Sequence, residues 1–139
     1  MKFFKIEPEV SVYIGEMTIY DKRKIPWKIK ELHLEFEGWL GDDIVTSSPV
    51  FCISNNLKEG LEESSFSGII GFDTIKITKS ENFLELYPNK KLPDFFLLRI
   101  NGVYKKDDFS IHDGDLIISE EVLKLLNKYN ISEALIKQL

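Results

Sequence analysis

Residues 116–126, LIISEEVLKLL, decide the fold. An apolar strand runs into a serine, and a helix starts on that serine. A serine hydroxyl at this position accepts a hydrogen bond from a free N–H of the first turn. Glu120 and Glu121 fall in that turn, where negative charge suits the helix dipole. Val122, Leu125, Leu126 and Tyr129 then recur at helical spacing as one apolar stripe. The reading predicts a helix over 120–129, stopped near Asn130.

The same grammar occurs once earlier, at 51–61, FCISNNLKEGL. Ser54 is the cap, and Leu57 and Leu61 share a face. Gly60 weakens the helix by roughly 1 kcal/mol against alanine. A helix over 55–64 is predicted. Laying Ser54 on Ser119 pairs Leu57 with Val122, Leu61 with Leu126, Phe66 with Ile131 and Ser67 with Ser132, all at an offset of 65 residues. The overlay suggests an internal duplication of a β-α unit. Strand–serine–helix is common chemistry, so a chance likeness stays open at this point.

Outward from these two units the chain is mostly strand. Val10, Val12 and Ile14 alternate with polar residues, and Thr18, Ile19 and Tyr20 are β-formers. DKRKIP, residues 21–26, reads as a charged turn. Leu32, Leu34 and Phe36 alternate with His33, Glu35 and Glu37, a half-buried antiparallel strand with both histidines of the chain, His33 and His112, on the surface. Residues 38–43, GWLGDD, form a loop. Pro49 has no N–H and belongs at a strand start or an edge. Ile69 to Thr78 reads as one strand, and 80–87, SENFLELY, as one or two turns of helix. Residues 95–100 are almost wholly apolar, a central strand. Asn101-Gly102 is a strong hairpin signal, and Asp113-Gly114 marks another turn. The last residues, 131–139, read as either a closing strand or a second short helix, with strand the preferred reading. The expected class is α+β: one domain over 1–139, with N-terminal strands over 1–53, a mostly antiparallel or mixed sheet, and two helices.

Composition narrows the function. The 139 residues are 43% apolar and 29% charged, with ten Phe, which suits a packed core without metals or disulfides. The net charge of −5 argues against a phosphate-binding surface, which needs clustered Lys and Arg. The single cysteine, Cys52, excludes an internal disulfide and fits a reducing compartment. It lies between Phe51 and Ile53 and reads as a small core residue, not a nucleophile. Glu7 and Glu9 interrupt the apolar start, so no signal peptide is expected, and no run is long enough to span a membrane. A cytoplasmic protein follows.

Carboxylates gather in the stretch holding Asp107, Asp108, Asp113 and Asp115, and in Asp42 and Asp43 beside Trp39. Residues 107–118, DDFSIHDGDLII, do not fit a calcium loop: the sixth residue is His112 and the twelfth Ile118. Turn and cap roles suit these acids best. An acidic partner-binding face is the other reading, with Trp39 as an anchor, since Trp is enriched in binding hot spots. No phosphate loop, metal set or cofactor motif is present, and no catalytic residue is expected.

SGIIGF at 67–72, LYPNKKLPDF at 86–95, DDF at 107–109 and LIISEEVLKLL resemble a group of small bacterial immunity proteins found beside polymorphic toxins, including those of contact-dependent inhibition. The resemblance covers roughly residues 50–136, and the chain departs from it in the plain turn GVYKKDDFS. It implies a non-catalytic cytosolic antidote whose partner is a cognate toxin domain. Trp39, Asp42, Asp43, Asp107, Asp108, Asp113 and Asp115 are then the candidate contact residues. Two other readings stand beside it: a metal-dependent hydrolase built on Asp107, Asp108 and Asp113, and a structural subunit that self-associates through a sheet edge.

Overall fold

A computed structural model describes residues 1–24 and 28–139. The end of the expected DKRKIP turn lies outside them; its start is a turn in which Arg23 grips Asp21. The chain order is β1 (Phe3–Glu7), β2 (Val12–Ile14), β3 (Ile19–Asp21), β4 (Lys28–Glu31), β5 (His33–Phe36), β6 (Ile44–Ser47), β7 (Val50–Ser54) and α1 (Asn55–Glu62). It continues with β8 (Ile69–Thr74), β9 (Lys76–Lys79), α2 (Glu81–Leu86), β10 (Phe95–Ile100), β11 (Phe109–His112), β12 (Asp115–Ser119), α3 (Glu120–Leu126) and β13 (Leu135–Gln138). The fold is α+β.

Two four-stranded antiparallel sheets carry the body, ordered β6-β7-β10-β8 and β11-β12-β1-β13. They are built alike. Ile44 faces Ile53 across the β6-β7 hairpin, and Phe109 faces Ile118 across β11-β12, at the same offset of 65 residues. Phe95 faces Ser54 in one sheet and Phe3 faces Ser119 in the other. Each third strand continues into a pairing with a fourth, β8 or β13, that follows the helix. The echo seen in the sequence is therefore a full structural repeat: strand, hairpin, capped helix, strand.

The third strands are exchanged. β1 begins the first repeat but pairs with β12 and β13 of the second, while β10 begins the second but pairs with β7 and β8 of the first. Neither sheet is complete without a strand from the other half of the chain. The apolar residues follow from this. β7 is buried along its whole length because it packs on both faces, which requires a run of apolar and small residues rather than an alternation.

The main core lies between the two sheets and the helices: Ile6, Ile44, Ile53, Leu57, Leu61, Leu98, Phe109, Ile118, Val122 and Leu126. The predicted helical pairs Leu57–Val122 and Leu61–Leu126 are all inside it. A second core covers the outer face of the β6-β7-β10-β8 sheet. Val45, Cys52, Phe95 and Leu97 meet Val12, Leu34, Phe36 and Phe83 there. Its roof is β2-β5-β9, whose β5-β9 pairing is parallel. The strands of this roof come mainly from the segment between β1 and β6, which has only a short loop as its counterpart in the second repeat.

Several expectations change. The helices are shorter than 55–64 and 120–129, because Glu63 and Asn127 already bond back as caps. The turns of helix expected over 80–87 form α2, capped by Ser80, so there are three helices among the described residues, not two. Ile69 to Thr78 is two strands in different sheets, broken at Ile75. Asn101-Gly102 makes no hairpin, since β10 and β11 belong to different sheets. Gly102 instead lets backbones approach: a Cβ there would sit 1.8 Å from the Phe109 carbonyl oxygen. Asp113-Gly114 is a true hairpin turn, with positive φ at both residues, the mirror-image turn that matches strand twist. In the first repeat its place is taken by Ser48-Pro49, joined by a cis peptide.

Candidate functional site

The capping serines sit at the centre of the polar structure, and each is held by an aspartate. Ser54 Oγ accepts from Leu57 N–H and donates to Asp43 Oδ1 at 2.6 Å. Ser119 Oγ accepts from Val122 N–H and donates to Asp108 Oδ1 at 2.7 Å. The second carboxylate oxygen reaches across to the other repeat. Asp43 Oδ2 accepts from Asn130 N–H at 2.9 Å, just after α3. Asp108 Oδ2 accepts from Ser67 N–H at 3.0 Å, just after α1. Each aspartate thus ties its own helix start to the exit of the other helix. These clasps could have been found by extending the 65-residue overlay back to Asp43 and Asp108.

The Trp39 loop is anchored from below by a carboxylate the sequence reading passed over. Glu9 is buried and accepts from Leu40 N–H at 2.9 Å, Asp42 N–H at 3.3 Å and the Ser11 hydroxyl. Asp42 is buried beside it and accepts from Glu133 N–H at 2.9 Å and the Ser132 hydroxyl at 3.3 Å. Burial pushes the Asp42 carboxyl above its ordinary range; the Glu133 N–H pulls it back, and the neighbouring Glu9 raises it further. Trp39 donates its indole N–H to the Asp42 carbonyl at 2.8 Å and packs edge-on against Phe95. It therefore closes the second core with at least part of its ring.

Of the remaining candidates, Asp107 accepts from Val103 N–H and shapes the loop before β11. Asp115 lies 4.0 Å from Lys5. Asp113 is exposed on the hairpin turn, 3.5 Å from His112, whose ring stacks on Tyr104. The proposed hydrolase trio does not converge. Asp107 and Asp108 spend their oxygens on Val103, Ser67 and Ser119, and among the described residues no three His, Cys, Asp or Glu side chains stand together to hold a metal.

His33 corrects the sequence reading, which put it on a polar surface. It is buried, because Gly15 leaves room for its ring: a Cβ at Gly15 would fall 2.0 Å from His33 Nδ1. Met17 N–H donates to Nδ1 at 3.2 Å, and Nε2 lies 2.7 Å from Thr78 Oγ1. Because a backbone N–H faces Nδ1, the neutral ring carries its proton on Nε2 and donates it to Thr78. A base that must take the threonine proton needs the opposite tautomer. This pair therefore fastens β5 to β9. Cys52 is buried as expected, and burial drives its thiol far up from its usual range.

A shallow cleft of about 480 Å³ lies between α1 and the segment after α3, lined by Asp43, Asn56, Glu59, Glu63, Lys128 and Tyr129 among others. Glu59 and Glu63 are exposed, as are Glu62 and Glu121 on the two helices. No helix among the described residues is long and apolar enough to cross a membrane. Comparison with models of known protein families, with curated proteins and with solved structures finds no match to this chain.

Proposed function

We propose that the chain is a non-catalytic antidote, working in a reducing cytoplasm, that binds a cognate bacterial toxin domain and blocks it. The observation that carries this reading is the acidic helical end of the molecule. Glu59 and Glu63 stand exposed in the lining of the cleft between α1 and the segment after α3, where Lys128 is the one basic lining side chain among the described residues. Glu62 and Glu121, each paired with a lysine of its own helix, are exposed on the two helices. The aspartates and serines beneath are committed to holding those helices in place. An inhibitor needs a stiff surface with a charge opposite to its target, and such a surface steers a basic partner toward it. The resemblance of residues 50–136 to immunity proteins points the same way. The candidate contact residues shift accordingly, from the buried Asp42 and the clasped Asp43 and Asp108 to the glutamates above them.

The test is co-expression with the toxin domain encoded by the gene immediately upstream. The expected result is a complex that survives purification and protects cells. Glu59→Lys combined with Glu63→Lys should weaken it, mainly through slower association that depends on salt. Unprotected cells and no complex would end the reading.

A further inference from the structure

The internal repeat creates two grooves at the end of the sheets away from the helices. One, of about 240 Å³, is lined by residues 49–51, 98–100 and Ile111. The other, of about 350 Å³, is lined by residues 114–116, 6–8 and Thr46. These are the same positions of the two repeats, taken in the pairing order of the two sheets. Phe51 lines both grooves, so they adjoin.

Their walls are alike but their rims carry opposite charge. Arg99 and Lys28 edge the first groove, and Glu7 and Asp115 edge the second, with Glu7 standing where the other repeat has Arg99. Arg99 is braced by Asp73 at 2.6 Å, and Lys5 lies 3.4 Å from Glu7 and 4.0 Å from Asp115. Each rim therefore keeps a surplus of one charge: Lys28 and Arg99 against Asp73 on one side, Glu7 and Asp115 against Lys5 on the other. Each groove also has an apolar side chain standing out beside it. Ile70 at 65% exposure and Ile111 at 43% flank the basic groove, and Val10 at 75% flanks the acidic one.

We infer that this end is a self-association surface whose occupant is a second copy of the chain. Two adjoining grooves of opposite sign are self-complementary. A copy turned by a two-fold axis across them sets each basic rim on an acidic rim, and both contacts form at once, as a closed dimer requires. Val10 of each copy then enters the basic groove of the other, and Ile70 and Ile111 meet the acidic one. An exposed valine beside an apolar groove gains on leaving water, which a lone charged partner would not supply. The acidic helical ends face outward in such a dimer, because β7 and β12 run from this end to the caps.

Sedimentation velocity over a concentration series tests this with the full chain. The wild type should shift to twice the monomer mass as concentration rises. Val10→Asp should loosen association about tenfold or more, since burying one aliphatic side chain is worth that much. Glu7→Lys and Lys28→Glu should each weaken it a few-fold, and the double reversal, which re-pairs the rims, should recover most of the loss. Circular dichroism melts confirm that each variant is folded. A wild type that stays monomeric, a Val10→Asp protein that dimerises equally well, or a double reversal worse than either single change would overturn the proposal.

Discussion

Asp43 and Asp108 hold the same post in the two halves of the molecule. Each grips the capping serine of its own helix and a main-chain N–H beyond the other helix. Because the third strands are exchanged as well, the halves are joined by backbone pairing and by these two carboxylates together. Local chemistry, the start of a helix, is thereby coupled to the global arrangement of two repeats.

Removing either clasp should cost about the same. Asp43→Ala leaves the Ser54 hydroxyl and the Asn130 N–H without an acceptor, and Asp108→Ala does this to Ser119 and Ser67. Each loss should amount to about 2–4 kcal/mol in urea denaturation, with the asparagine variants milder because one acceptor oxygen survives. A double-mutant cycle sharpens the test. Ser54→Ala should cost clearly less on the Asp43→Ala background than in the wild type. Strict additivity would show that the contact contributes nothing.

Gly60 offers a case where helix propensity gives the wrong answer. Alanine favours a helix interior by about 1 kcal/mol over glycine. Here a Cβ would lie 2.0 Å from the Tyr129 hydroxyl oxygen and 2.8 Å from its ring carbon. Gly60→Ala should therefore lower the melting temperature. Combining it with Tyr129→Leu, which withdraws the ring, should recover most of the loss. An alanine variant more stable than wild type would show that the tyrosine moves aside freely.

The Gly60–Tyr129 contact also marks where the sequence stopped being legible. Both helices, their caps, the central β10 strand, the Asp113-Gly114 turn and the repeat itself could be read from local pattern, since capping and periodicity are written in neighbouring residues. Gly60 could be seen only as a weakness, because the ring that fills its space comes from the other repeat. Gly15 and His33 show the same limit. An alternating strand puts His33 on the polar side, and its ring is enclosed by Gly15, Met17 and Thr78, none of them local to β5. Asn101-Gly102 failed for a related reason: turn chemistry favours a hairpin, but the strand exchange sends β10 to another sheet. The candidate acids were found as residues but not as roles. Their spacing does not reveal that Asp42, Asp43 and Asp108 point inward to hydrogen-bond donors distant in sequence.

Asp42 should give the protein a pH dependence of unusual sign for a carboxylate. Burial raises its folded-state pKa above the value of 3.8 expected in the unfolded chain. The folded state then holds the proton more tightly, so its contribution to stability is full below the unfolded value and is lost as pH rises through the folded one. Asp42→Asn removes this ionisation while keeping an acceptor oxygen for the Glu133 N–H. In urea denaturation at each pH, the variant should gain on the wild type as pH rises from 3.8 toward neutral. A difference that is constant across that range would show that Asp42 stays charged without penalty.

Ser110 is where the two repeats differ most plainly inside. Its hydroxyl oxygen is buried with no hydrogen-bond partner among the described residues, and the equivalent position of the first repeat is Val45, packed in the second core. A buried hydroxyl without a partner costs its full desolvation, about 1–3 kcal/mol, whereas deleting the oxygen opens only a small gap. Ser110→Ala should therefore be neutral or stabilising, by up to about 1 kcal/mol, against the usual run of core substitutions. Thermal melts of the two proteins side by side decide it. A loss of more than about 1 kcal/mol would mean that the hydroxyl has a partner in solution, and that this face of the β11-β12-β1-β13 sheet carries ordered polar structure of its own.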